Sequence, residues 1–267
     1  MTIASATIKK IAKDSLKSNF INVIIVTSII LFCYLINNNI ASMFYLIGGD
    51  LFANVLFYLM NLFILIPVCF GGLRYFWRLL CGVTDNPLSV FNYFSSKENY
   101  KKVLKLTFYI IFKTLFTAIF FLIPYIAVAV ISNIEIYKFL DIPIPLWTTN
   151  LSNVTAFLGY IALIGTLFLM LKYYLAPMLI IADENMDVNE AIHMSVVISK
   201  NTTLDFVYLA FSMIGWILLS LLFIPLLYTL PLFMMVYLTH CSFAVNEYNE
   251  RINKINNENS QSFMAGI

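Results

Sequence analysis

From Leu106 to Ile131 the chain runs through twenty-six residues with one charge, Lys113, and one proline, Pro124. An α-helix rises about 1.5 Å per residue, so this stretch can cross the roughly 30 Å hydrocarbon core of a bilayer. Comparable runs recur along the sequence. Of the 267 residues 61% are apolar and 11% charged, whereas soluble domains carry about a quarter charged residues. The fold class expected is an all-α membrane protein. In lipid a helix satisfies its own backbone hydrogen bonds, and nothing here alternates as barrel strands do.

Six spans are expected, at about 20–36, 51–70, 106–131, 151–171, 204–224 and 226–245. They form a bundle of six transmembrane helices in one domain, residues 1–246. The tail 247–267, rich in Asn, Ser and Glu, reads as a disordered cytoplasmic segment after a helical start. Every Lys and Arg except Lys113, within the third span, and Lys138, in the outer loop, falls in a segment assigned inside, so both termini are expected in the cytoplasm. The first apolar block is expected to be retained, because polar Asn37, Asn38 and Asn39 follow it without a small-residue cleavage pattern. Span two is expected to end at Gly71-Gly72, followed by Arg74 and Arg78 among aromatic residues as an interface anchor. Pro225 and Pro231 are expected to bracket the short turn between the last two spans.

Three segments have an amphipathic pattern. In 1–19, Ile8, Ile11, Ala12 and Leu16 recur at helical spacing beside Lys9, Lys10, Lys13 and Lys17, which predicts an interfacial helix. Asn86 followed by Pro87 is a helix start, with Leu88, Phe91 and Phe94 on one face and Lys97, Lys101, Lys102 and Lys105 behind it. The third segment, 183–203, opens with Asp187 and Glu190 at capping-box spacing. Its helix places Val188, Ala191, Ile192, Met194, Ser195 and Ile198 on one face, expected to lie along the inner leaflet. Asn189, Glu190, His193 and Lys200 fall on the other.

Sliding the chain against itself aligns residues at an offset of 98. Leu73-Arg74-Tyr75-Phe76 lies over Leu171-Lys172-Tyr173-Tyr174, Asp85 over Asp183, Val90 over Val188 and Lys102 over Lys200. Such units would be parallel repeats about an axis along the membrane normal, spans two and three matching spans four and five.

Candidate chemistry is sparse. Asp183, Glu184, Asp187, Glu190 and His193 could be gathered into a metal or acid–base cluster, but with no second histidine nearby they read as a solvated, capped helix start. His240 reads as a polar packing contact. Lys113 is either a functional intramembrane charge or a side chain snorkelling to the nearby interface, and the second is expected. Cys33, Cys69, Cys81 and Cys241 lack CxxC spacing and read as reduced, packed thiols. Asn153-Val154-Thr155 matches the glycosylation pattern but abuts a span. There is no GxSxG, HExxH or Walker loop. The expectation is therefore no enzyme, with no catalytic, cofactor-binding or metal-binding residue and no cofactor. Apart from Asp205 at the edge of the fifth, the spans carry no acid, whereas a proton-coupled carrier would place one near midplane; a carrier would have to rely on Asn54, Asn61, Thr114, Thr117 and Ser220. A net charge of +2 points away from nucleic acid.

The stretch from Tyr173-Tyr174 through Ile181-Ala182-Asp183, Glu190-Ala191-Ile192 with Ser195, Phe206 and Phe211-Ser212-Met213-Ile214-Gly215-Trp216 resembles the bacterial membrane family catalogued as domain of unknown function 975. It is more distantly similar to the membrane region of some glycerophosphoryl diester phosphodiesterases. Pro231 and Phe243 sit where the family places its final span, while Ile164-Gly165-Thr166, Ser199-Lys200-Asn201 and Leu232 depart from its pattern. The resemblance implies a six-span bundle in a bacterial plasma membrane and brings no assigned activity. The reading that results is a non-enzymatic accessory, regulatory or assembly factor, with the lipid bilayer and, through 183–203, another membrane protein as partners. The alternative is a small-solute or lipid transporter or channel using a site between the two repeats.

Overall fold

The computed structural model describes residues 5–133, 139, 143, 148–219 and 223–265. Among these residues the structure is helical, with no strand. The helices are α1 (Ser5–Ser18), α2 (Phe20–Tyr45), α3 (Gly48–Leu80), α4 (Lys97–Ser132), α5 (Thr148–Met170), α6 (Ala176–Ala182), α7 (Val188–Phe211), α8 (Ile214–Leu219) and α9 (Phe223–Ala265). Among the described residues five stretches are long and apolar enough to cross a membrane: α2, α3, α4, the run Asn153–Ala182 and the run Pro225–Ile255. By helix length and hydropathy this is a multi-pass membrane protein in contact with lipid. The expected span at 204–224 is not among the five. α7 ends at Phe211, a turn follows at Ser212 and Met213, and α8 has only six residues. The outer loop with Lys138 lies largely outside the described residues, as does Ser220.

The chain divides into two compact units, residues 1–105 with 175–267, and residues 106–174. In the first, α9 is the central element and buries Leu232, Met235, Leu238 and Cys241 at helical spacing. α1, α2 and α3 all pack against it. α1 buries Ile8, Ala12 and Leu16, so the stripe expected to rest in the membrane surface is taken up by protein. α2 buries Val23, Val26, Thr27 and Ile30. It turns into α3 at Gly49, whose φ of 72° is a conformation L side chains rarely adopt.

α3 does not end at Gly71-Gly72 but continues to Leu80. The glycines permit close approach instead: a Cβ on Gly71 would stand 1.8 Å from the Val90 carbonyl oxygen. Pro67, near the start of this segment, has no N–H to offer the carbonyl of Phe63 one turn back. A π turn over Asn61–Leu65 absorbs the irregularity, and the Tyr100 hydroxyl donates to that Phe63 oxygen at 3.0 Å.

α9 corrects a second sequence expectation. Pro225 and Pro231 do not bracket a turn, since the helix runs through both. Helices in lipid tolerate proline where neighbouring groups re-satisfy the freed carbonyl. The same helix extends to Ala265, across the segment that composition predicts to be disordered.

The second unit is built differently. In the apolar window of α4 no residue is buried, and in that of Asn153–Ala182 very few are. Gly159 faces Tyr125 and Gly165 faces Phe121, at 3.3 and 2.9 Å from where a Cβ would stand. The hydroxyls of Thr114, Thr117 and Thr166 donate to carbonyls one turn back, at Ile110, Lys113 and Ala162. Two of the polar residues a carrier would need are thus engaged with their own helix. Lys113 Nζ lies 5.5 Å from the Tyr109 ring centre, one turn back toward Lys105, the direction a snorkelling lysine takes.

Candidate functional site

Polar chemistry in the first unit concentrates where the connection after α3 meets the connection between α6 and α7. The first begins with a cap: Asn86 accepts from the Leu88 N–H at 2.9 Å, as its place before Pro87 predicts. The helix that follows, Pro87–Phe91, is a 3-10 turn leading into Asn92–Ser95. Val90 and Tyr93 point inward, while Leu88, Phe91 and Phe94 share the exposed side. The apolar face found in the sequence therefore exists but looks outward.

The second connection begins with α6, whose Met178, Leu179, Ile180 and Ile181 are buried, and which packs directly on α7. Val188, Ala191, Ile192, Ser195 and Ile198 of α7 are buried. Ser195 Oγ accepts from the Leu175 N–H at 3.2 Å. The apolar face of α7, expected to lie on the inner leaflet, is covered by protein. The cause is α6, which lies between the expected end of span four at 171 and the 183–203 segment and which the sequence reading does not assign.

Between the two connections runs a polar latch. Arg74 Nη2 pairs with Glu184 Oε1 at 2.5 Å, Lys102 Nζ donates to the Glu184 backbone oxygen, and Lys105 Nζ stands 3.4 Å from Asp187 Oδ1. Arg78 Nε holds Asp85 Oδ2 at 3.0 Å. Beneath these pairs Tyr93 is buried, and burial pushes its phenol up to about 12, the nearby Glu184 carboxylate adding to the shift while Arg74 opposes it. Asp187 caps α7 by accepting from Asn189 N–H at 3.2 Å, one residue earlier than a capping box predicts. That backbone bond, followed by one from Val188 and by Lys105, holds its carboxyl below the usual aspartate value.

Most of the acids that could have formed a metal or acid–base cluster are thus engaged with cations or backbone. Asp183 is occupied too, accepting from the Asn185 N–H at 2.9 Å. Glu190 and His193 are exposed on the outer face of α7. Among the described residues no three His, Cys, Asp or Glu side chains are placed to hold a metal ion. His240 is buried with its ring 5.5 Å from Phe206. Sequence reasoning passed over Tyr93, buried near Arg74 and Glu184 and packed edge-on against Phe70, and Tyr100, which donates to the Phe63 carbonyl. Pro67 was the one available signal, since a proline inside a span leaves a carbonyl needing a donor.

The residues aligned at offset 98 differ locally. Leu73 to Phe76 lie inside the regular helix Ile66–Leu80, whereas Leu171–Tyr173 form a 3-10 turn between helices. Arg74 pairs with Glu184 while its counterpart Lys172 is exposed.

The class these features define is a polytopic, all-α membrane protein with a latched polar layer. No protein-family model, no curated protein and no solved structure matches the chain.

Proposed function

We propose that the protein is a non-enzymatic accessory, regulatory or assembly factor of a bacterial plasma membrane, and that its working surface is the outward face of α7. The observation carrying this reading is that α7 is fixed on its apolar side by α6 and at its start by the Asp187 cap, while Asn189, Glu190, His193 and Lys200 remain exposed on the other. A helix held this way presents a rigid polar surface without an ordering cost on binding. Membership of the family of domain of unknown function 975 belongs to the same proposal and rests on the residues from Tyr173 to Trp216.

The distribution of lysine and arginine supports both termini on the cytoplasmic side. Six crossings satisfy that condition, and so do four crossings with an embedded C-terminal pair. Deleting 183–203 would remove buried core, so the test is substitution. Capture from native membranes is compared between the intact protein and N189A/E190K/H193A. Loss of a specific partner with unchanged expression supports the accessory reading, and an identical partner set removes its basis.

One observation favours a transport reading. A groove on the α2–α3 hairpin is lined by Asn38, Ser42, Tyr45, Asp50 and Asn54. On the same two helices Asn37 Nδ2 and Asn61 Oδ1 are buried without hydrogen-bond partners. This groove lies within one hairpin and not between repeats. Solute flux in proteoliposomes that is lost in N37A/N61A would establish it.

A further inference from the structure

α1 carries Lys9, Lys10, Lys13 and Lys17 against a single acid, Asp14. Since Ile8, Ala12 and Leu16 are buried against protein, the helix has no apolar face left to place in lipid. It is nevertheless docked on one of the most apolar parts of the chain. Lys9 Nζ donates to the Ser212 carbonyl at 2.9 Å, at the end of α7, where helical carbonyls lack intrahelical partners and the dipole is negative. The Ser5 and Ser212 hydroxyls stand 3.1 Å apart. Lys13 Nζ lies 5.0 Å from the centre of the Trp216 ring. Trp216 contacts Tyr228 at 5.9 Å between ring centres, and Tyr228 contacts Phe20 at 6.4 Å.

Trp, Tyr and Lys gathered in one place are the composition of the membrane–water interface. Lys10 and Lys17 are exposed and have no ion-pair or hydrogen-bond partner among the described residues, and Asp14 pairs with neither. The result is a cationic face held at aromatic-belt depth in a protein that already contacts the bilayer.

We propose that this lysine face binds the phosphates of anionic phospholipids in the leaflet it faces, with Trp216 and Tyr228 at the same headgroup depth. The occupant follows from charge complementarity and from continuity with the bilayer around the apolar helices. The topology follows as well. Six crossings place Trp216 midway through a span and Tyr228 near the far face, while Phe20 opens the first span at the near face. Contact between Phe20 and Tyr228 is incompatible with that arrangement across about 30 Å of hydrocarbon. Two full crossings at 204–224 and 226–245 therefore do not fit this contact.

The test uses the full chain carrying W77F and W147F, which leaves Trp216 as the sole tryptophan of three. It is reconstituted in mixed phosphatidylcholine and phosphatidylglycerol vesicles, with bromine placed in one lipid or the other, near the headgroup or at the chain end. Each lysine beside an anionic surface favours binding by roughly fivefold. Brominated phosphatidylglycerol is therefore expected to quench Trp216 more than brominated phosphatidylcholine, and headgroup-proximal bromine more than chain-end bromine. K10Q/K17Q, which breaks no internal contact, lowers the preference severalfold, K10R/K17R retains it, and added salt weakens it. Equal quenching by the two lipids, or a preference unchanged in K10Q/K17Q, overturns the proposal. So does stronger quenching from the chain end, or competition by inorganic phosphate at matched ionic strength, which would make the site one for soluble anions. If the tryptophan substitutions prevent folding, the same difference is read from total quenching of the chain with its three tryptophans, with and without K10Q/K17Q.

Discussion

Residues 1–105 with 175–267 bury a core around α9 under a layer of ion pairs, while α2 and α3 keep much of their apolar surface exposed; the described residues of 106–174 bury almost nothing. Both are made of apolar helices, so hydrophobicity does not separate them. The difference is what each helix face meets. Lipid chains are as apolar as leucine, so a helix in a bilayer gains little by exchanging lipid for protein. The hairpin 106–174 can keep Phe112, Phe116 and Phe120 exposed without the penalty water would impose. The first unit must instead accommodate polar connections, and it does so by close backbone packing and charge pairing.

The largest expected effect contrasts glycines in the two units. Gly71→Ala puts a methyl group 1.8 Å from the Val90 carbonyl oxygen, a backbone atom with no side-chain freedom to yield. A loss of roughly 3 kcal/mol, the upper end of overpacking costs, or failure to fold is expected. Gly159→Ala meets only the ring edge of Tyr125 at 3.3 Å, and should be neutral or stabilising by up to about 1 kcal/mol, the helical preference for alanine. Denaturant titrations in micelles that give equal effects for the two would dissolve the distinction between the units.

The latch should show next. Arg74 is 16% exposed but Glu184 is 49% exposed, so solvent screening limits the loss in Arg74→Ala to about 1 kcal/mol. Its more specific signature is in Tyr93. The phenol titrates at about 12 against an ordinary 10.0, so the stability tied to it is complete below pH 10 and is lost as pH rises through 12. Because the Arg74 cation lowers that value, removing it should move the Tyr93 transition still higher in a spectrophotometric titration. An unchanged or lowered midpoint would mean that Arg74 and Tyr93 do not share an environment. Gly49→Ala forces an alanine to a φ of 72° in the α2–α3 turn and should cost about 1 kcal/mol by the same denaturant titrations.

These contrasts also explain what was legible in advance. Membrane residence followed from apolar runs, and the caps at Asn86 and Asp187 followed from side chains whose partners lie within two residues. Periodicity found the apolar faces of α1 and α7 but could not tell whether protein or lipid covers them, since both offer the same chemistry. The Leu88, Phe91 and Phe94 face was found without a direction for the same reason, and it is exposed. Gly71 read as the end of a span because glycine punctuates helices in soluble chains, while its use here depends on Val90, nineteen residues on. Pro231 read as a turn because only the packed surroundings of α9 show that the helix survives it. Except for Arg78 with Asp85, the latch joins residues about eighty to a hundred and ten apart, which no local pattern reveals.

The smallest effect separates the cap from the charge at Asp187. Its carboxyl is held below the usual 3.8, first by the Asn189 N–H and later by Lys105. The contribution it makes is therefore present above pH 3.8 and disappears as pH falls through the lower folded value. Asp187→Asn keeps a side-chain oxygen for the Asn189 N–H, so stability at neutral pH should stay near that of the parent while the acid-side slope flattens. Asp187→Ala loses both and should be destabilised across the whole range. Thermal unfolding followed from pH 7 to pH 3 distinguishes the two. If Asp187→Asn is as unstable as Asp187→Ala at neutral pH, the ion pair with Lys105 is the main restraint on α7; if it keeps parental stability there, the helix is positioned by its own cap and the latch only reinforces it.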